Sequence, residues 1–176
     1  PESEKSGPNA ASTREYASIN VAQTESETDD FVPERYRQFA RHLPAGCRRV
    51  LDLGCNVGRG GRALKEVRPD VELVGLDVVG ARLERLPPDV YSSSVEASAT
   101  SIPFESASFD AVLAGEFIEH LTESDANLML SEVHRILGER GRFLLTTPNP
   151  QGINFRLKRM SVIGGAHLSQ YTPRQL

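Results

Sequence analysis

The stretch "EFIEHL" places two carboxylates and an imidazole, Glu116, Glu119 and His120, within one short run. In a helical turn, residues three and four apart share a face, so Glu116 would meet Glu119 and His120. Two chemistries suit such a set. His120, with Glu119 beside it, can act as a general base that removes a proton from a hydroxyl nucleophile. Alternatively Glu116, Glu119 and His120 bind a divalent ion that lowers the pKa of that hydroxyl and orients it, and the donor set accepts Mg, Mn or Zn. The plainer alternative is that Glu119 and His120 only shape the wall of a pocket. His134, inside an amphipathic pattern, and His42, near a helix end, read as structural or surface residues.

A second stretch, "VLDLGCNVGRGG" from Val50 to Gly61, runs from a buried strand into a glycine-rich turn. A dinucleotide loop needs G-x-G-x-x-G, so that a pyrophosphate can rest on a helix N-terminus. Here the glycines fall at Gly54, Gly58 and Gly60, and Asp52 precedes the first of them. An acid pointing into the site would repel a pyrophosphate and welcome an ammonium or sulfonium group. The expected ligand is therefore a nucleoside bearing a cationic amino acid, rather than NAD. Asp77, at the end of the strand pattern "VELVGLD", stands where an acid accepts hydrogen bonds from ribose hydroxyls.

These residues need a scaffold, and the hydrophobic pattern supplies one. Val32, Tyr36, Phe39 and Leu43 recur at helical spacing, with Pro33 in the first turn, and Pro44-Ala45-Gly46 ends that helix. Strands are expected at Arg49–Leu53, Val71–Asp77, Asp89–Glu96 (the weakest), Ser108–Gly115 and Gly141–Thr147. Between them the pattern predicts a helix over Gly61–Val67 and a longer one capped by Thr122, with the stripe Ala126, Met129, Leu130, Val133, Ile136 and Leu137. Alternation of this kind gives an α/β fold, a Rossmann-like doubly wound and mostly parallel sheet. Its ligand site lies at the carboxyl ends of the strands, where both stretches fall.

At this point the chain resembles a known family, the class I S-adenosylmethionine-dependent methyltransferases. "VLDLGCNVGRG", "VELVGLDVV", "SIPFESASFDAVLAGEFIEHL" and "EVHRILGERGRFLLTTPN" look like its successive motif blocks, in order, within Arg35 to Leu176. The resemblance implies S-adenosylmethionine as cofactor. Asp52, Gly54, Cys55, Asn56, Gly58 and Gly115 would then shape the pocket around its methionine part. Asp77 would hold the ribose, Val78 would lie against the adenine, and Ser98 and Ala99 would line the adenine edge. Asn56 stands where the family commonly has glycine, and asparagine tolerates the positive φ such a turn requires. Ser98 replaces an aspartate common at its position.

"AHLSQYTPRQL" resembles the segment that supplies a second histidine in metal-dependent small-RNA 2′-O-methyltransferases, which would make His167 a further catalytic or metal residue. The ubiquinone-pathway O-methyltransferases carry a similar Glu-x-x-Glu-His block that binds a divalent ion. The implied activity is O-methylation of a small hydroxylated acceptor (a sugar, a phenol or a polyketide) by in-line transfer. The alternatives are a non-catalytic S-adenosylmethionine-binding module and a metal-dependent RNA 2′-O-methyltransferase.

Bulk composition agrees with an enzyme domain. The sequence has 176 residues, 39% hydrophobic and 25% charged, with a net charge of −4. Nothing in that balance attracts nucleic acid, and Arg156, Lys158 and Arg159 around one Phe are too few to hold RNA strongly. No apolar run reaches membrane-spanning length, and the two cysteines, Cys47 and Cys55, point to reduced thiols; a cytoplasmic protein is expected. Residues 1–30 read as a flexible segment or a lid, and residues 31–176 as the methyltransferase domain, lacking the last strands of its relatives. Strand Gly141–Thr147 would then be an edge that is covered by the segment Asn149–Leu176 or paired in a homo-oligomer.

Overall fold

The computed structural model describes residues 31–149 and 168–171; residues 1–30, His167 and the basic cluster at Arg156, Lys158 and Arg159 lie outside the described residues. Ten elements follow in order. They are α1 (Val32–His42), β1 (Arg49–Leu53), α2 (Arg59–Val67), β2 (Glu72–Asp77), α3 (Gly80–Leu83), β3 (Ser93–Glu96), β4 (Phe109–Gly115), a 3-10 turn (Ile118–His120), α4 (Glu123–Ile136) and β5 (Leu137–Thr146). The five strands form one sheet in the order β3-β2-β1-β4-β5, and each neighbouring pair is parallel. The chain leaves β1 in one direction for β2 and β3, then returns to β4 and β5 on its other side. The switch point therefore lies between β1 and β4, the expected ligand position in such a sheet.

Parallel strands covered on both faces read as continuous apolar runs, because alternate side chains enter two different layers. Leu51 and Leu53 of β1 join Val112 and Ala114 of β4 and the Met129, Val133 and Ile136 stripe of α4. Val50, with Ala111 and Leu113, faces the opposite layer of Tyr36 and Phe39 from α1 and Leu64 from α2. Leu51, Leu113 and Met129 are fully buried, and truncating any of them to alanine would cost about 2–5 kcal/mol. Thr122 caps α4 as its sequence suggests, its side-chain oxygen accepting from the backbone N–H of Asp125. Glu132 and Arg135 tie α4 to the loop before β4. The Glu132 carboxylate accepts from Ile102 N, and Arg135 donates to the carbonyls of Ile102 and Phe104.

Several boundaries differ from the sequence pattern. Strand β3 spans only Ser93–Glu96, because Val90 and Tyr91 turn into the core ahead of it. The short helix α3 was not expected. Strand β5 starts at Leu137, directly after α4, and its pairing with β4 contains a register shift between Phe109 and Ala111. β5 and β3 are the outer strands of the described sheet. Leu168 and Ser169 do not pair along β5; their N–H groups both donate to the carbonyl of Glu119. Among the described residues, no helix is long and apolar enough to cross a membrane.

Candidate active site

The turn after β1 is built on three residues in the left-handed region: Gly54 (φ 75), Asn56 (φ 51) and Gly58 (φ 80). The N–H groups of Gly54 and Cys55 both donate to the carbonyl of Leu76, which pins the turn to the end of β2. Asn56 N donates to Asp77 Oδ2 at 3.0 Å, while Asp77 Oδ1 accepts from Val79 N at 2.9 Å and faces Arg82 at 3.5 Å. The conformation expected of Asn56 is thus the one it adopts, held by the acid of the next strand. Its own Oδ1 is buried without a hydrogen-bond partner. At Gly54 a Cβ would enter the ring of Phe117, so that ring closes directly over the turn.

Asp52 is not aimed at an open mouth. Strand alternation puts it on the same side as Val50, in the layer under α1 and α2, and it is 0% exposed. Tyr36 OH donates to its Oδ1 at 2.5 Å and Tyr91 OH to its Oδ2 at 2.6 Å. Burial pushes the Asp52 carboxyl up to about 6, and the two phenols oppose that shift. The same burial, with the carboxylate alongside, holds both phenols protonated well above their ordinary range. Gly60 and Gly61 make this arrangement fit: a Cβ at Gly60 would collide with the Tyr36 ring, and one at Gly61 with Tyr91. The later glycines of the loop thus serve ring packing. The sequence offered no signal for either tyrosine beyond Tyr36 lying on an apolar helix face.

Glu116, Glu119 and His120 do not share one helical face. Glu116 follows β4 with φ 53, its N–H donates to Thr146 O, and its carboxylate lies 3.7 Å from Arg35. The 3-10 turn begins only at Ile118. Glu119 is 0% exposed; Thr147 Oγ1 donates to its Oε2 at 3.0 Å, while its Oε1 has no hydrogen-bond partner. Burial first, and then the nearby Glu116 carboxylate, push the Glu119 carboxyl up to about 7. His120 is half-buried at the end of the turn. Among the described residues, no group of three or more His, Cys, Asp or Glu could hold a metal ion. The metal set expected from Glu116, Glu119 and His120 is therefore not assembled, because the backbone turn at Glu116 sends its side chain to Arg35. His167, the remaining candidate for that set, lies outside the described residues.

Comparison with known proteins decides the family. The methyltransferase domain model matches residues 51–145, more than half of the chain. The chain belongs to the class I S-adenosylmethionine-dependent methyltransferases. It is 29% identical over 134 residues to malonyl-[acyl-carrier protein] O-methyltransferase of Legionella pneumophila, covering 74% of this chain and 45% of that one. It is 36% identical over 128 residues to demethylmenaquinone methyltransferase of Deinococcus radiodurans, covering 67% and 52%. The chain thus spans about half the length of these curated relatives. Among solved structures, an S-adenosylmethionine-dependent methyltransferase from Archaeoglobus fulgidus shares the fold with a TM-score of 0.65 at 22% identity, covering 89% of this chain and 69% of that one.

The residues of this methyltransferase domain suit the cofactor of the family. The Asn56 backbone N–H and the buried acid of Asp77 join at the carboxyl ends of β1 and β2, and the buried amide oxygen of Asn56 has no partner. Val78 is half-buried just beyond Asp77. Ser98 spends its hydroxyl locally, bonding Thr100 Oγ1 at 2.8 Å and accepting from Thr100 N. Ala99 is buried in the α4-side core. Gly115 ends β4 with Arg35 and Tyr36 packed against its Cα. Cys47 and Cys55 are free, buried thiols, and burial raises both above the ordinary thiol range.

Proposed function

We propose that the protein transfers a methyl group from S-adenosylmethionine to a hydroxyl of a small acceptor. The observation that carries this reading is the junction of Asn56 and Asp77. A left-handed turn is bonded to the acid of the adjacent strand, beside an amide oxygen without a partner. In this reading the Gly54–Gly58 turn encloses the methionine part, Asp77 accepts from the ribose hydroxyls, and Val78 lies against the adenine. The cofactor, when bound, supplies an electrophilic sulfonium methyl group.

The chain's own contribution is alignment and one proton transfer. In-line displacement gains most from positioning, and a base matters when the nucleophile is a poorly acidic alcohol. His120 is half-buried at the strand ends and takes the proton of the acceptor hydroxyl. Glu119, the preceding residue, is buried with its carboxyl raised to about 7. One relative is named for O-methylation of malonyl-[acyl-carrier protein] and another for methylation of demethylmenaquinone; both names support a non-nucleic-acid acceptor.

The reading as a binding module without turnover draws on Ser98, whose hydroxyl is already engaged within its own turn. Calorimetric titration of S-adenosylhomocysteine, followed by turnover assays on phenols, sugars and polyketide alcohols, separates the two. Binding near 10 µM (about −7 kcal/mol) with methylated product supports the enzyme. Binding without turnover across the panel favours the module, and no binding by folded protein overturns both.

A further inference from the structure

Asp77, the acid assigned to the ribose, is buried and already surrounded by donors. A carboxylate offers about four acceptor positions, two on each oxygen. Oδ1 accepts from Val79 N at 2.9 Å and faces the Arg82 guanidinium at 3.5 Å, while Oδ2 accepts from Asn56 N at 3.0 Å. Two of these partners are backbone groups, fixed by the turn after β1 and by the entry to α3. The third is a side chain and can move. A ribose presents two neighbouring hydroxyls as donors, and receiving both takes one position on each oxygen. Oδ2 has room for one of them. Oδ1 has room for the other only when the guanidinium withdraws.

A second carboxylate stands close by to receive it. In the pairing of β2 with β3, Asp77 lies opposite Glu96. The Glu96 carboxylate rests over Gly80, two residues before Arg82, and fills the space that a Cβ at Gly80 would need. The side chains of Arg82 and Asp77 are 12% and 4% exposed, whereas Glu96 is exposed. We propose that Arg82 competes with the ribose for Asp77: it holds the carboxylate in the ligand-free protein and swings toward Glu96 when the nucleoside binds. The inference rests on the functional reading above, through the ribose role of Asp77. Methyl donor and demethylated product carry the same ribose, so the competition weakens both alike. Arg82 therefore sets how readily the product leaves, without discriminating between the two ligands.

Arg82→Met removes the competing cation and keeps a long side chain; Glu96→Gln, at an exposed position, removes the alternative partner. Calorimetry would give the dissociation constant of S-adenosylhomocysteine for wild type, both variants and the double variant, with thermal midpoints of the ligand-free proteins alongside. Arg82→Met is expected to bind about three- to tenfold more tightly. Its ligand-free thermal midpoint should nevertheless fall, because a buried carboxylate has lost its counter-ion. Glu96→Gln is expected to bind about two- to threefold more weakly than wild type, and to change nothing in the Arg82→Met background. A merely structural role for Arg82 would lower thermal midpoint and affinity together. Unchanged or weaker binding by Arg82→Met, or an equal effect of Glu96→Gln in both backgrounds, overturns the inference and leaves the functional reading intact. If Arg82→Met does not fold, Glu96→Gln decides alone, and binding as tight as wild type overturns the inference. Wild-type protein that does not bind the ligand overturns the functional reading and the inference with it.

Discussion

Replacing Glu119 with glutamine should change stability in a way that depends on pH. The Glu119 carboxyl is raised from 4.5 to about 7, which corresponds to about 3 kcal/mol by linkage. Because the folded value lies above the unfolded one, the folded chain holds the proton more tightly. The stabilising contribution is fully present below pH 4.5 and is lost as pH rises through 7. Glutamine carries no such dependence, since it is neutral throughout.

Its amide oxygen can still accept from Thr147 Oγ1. Its NH2 would occupy the position of the unpartnered Oε1, and a buried unpaired donor there costs about 1–3 kcal/mol. Glu119→Gln should therefore be less stable than wild type at pH 5 and equal or more stable at pH 8. The difference between the two proteins should move by about 2–3 kcal/mol across that range. Urea unfolding of both proteins at pH 5, 6, 7 and 8 reads it directly, and titration of Asp52 cancels because both proteins share it. A difference that stays flat within about 0.5 kcal/mol would show that the Glu119 carboxyl is solvated after all, and the argument from burial would fail.

Three further outcomes follow from the geometry. Asp77→Asn keeps one acceptor oxygen but loses the charge facing Arg82 at 3.5 Å; on the proposed ribose role it should weaken S-adenosylhomocysteine binding about tenfold, the loss of a charge-assisted hydrogen bond, as read by calorimetry. Asn56→Gly relieves a positive φ and removes an unpartnered oxygen, so chemical denaturation should place it within about 1 kcal/mol of wild type, with binding retained; loss of binding would assign the Asn56 amide a direct ligand contact. Thr122→Ala removes the cap on α4 and should cost about 1 kcal/mol by thermal unfolding, without altering ligand affinity.

The parts legible in the sequence were those where one physical requirement dominates. β1, β2 and β4 are buried on both faces, so their apolar runs left little freedom. Thr122 announced its helix through the capping pattern, and Asn56 tolerated the turn its neighbours demanded. The direction of Asp52 was harder. A fully buried strand is apolar on both sides, so the pattern did not reveal which layer received the acid. Its partners lie 16 and 39 residues away, and no local spacing encodes such contacts. Glu116 misled for a different reason: a glutamate gives no hint of positive φ, and the residue turns its carboxylate to Arg35 instead of continuing one helical face with Glu119 and His120. The stretch "LGERG" reads as a turn, and of its residues only Leu137 pairs with β4, opposite Phe109; the regular ladder runs from Arg142, opposite Ala111, close to the expected start at Gly141.

The packing of Gly60 and Gly61 against Tyr36 and Tyr91 also bears on inheritance. Four positions scattered along the chain form a single unit of descent. A lineage that acquires alanine at 61 must first shed the ring at 91, and a lineage that shortens residue 91 frees position 61 to drift. Descendants are expected to keep each glycine with its tyrosine or to lose the pair together.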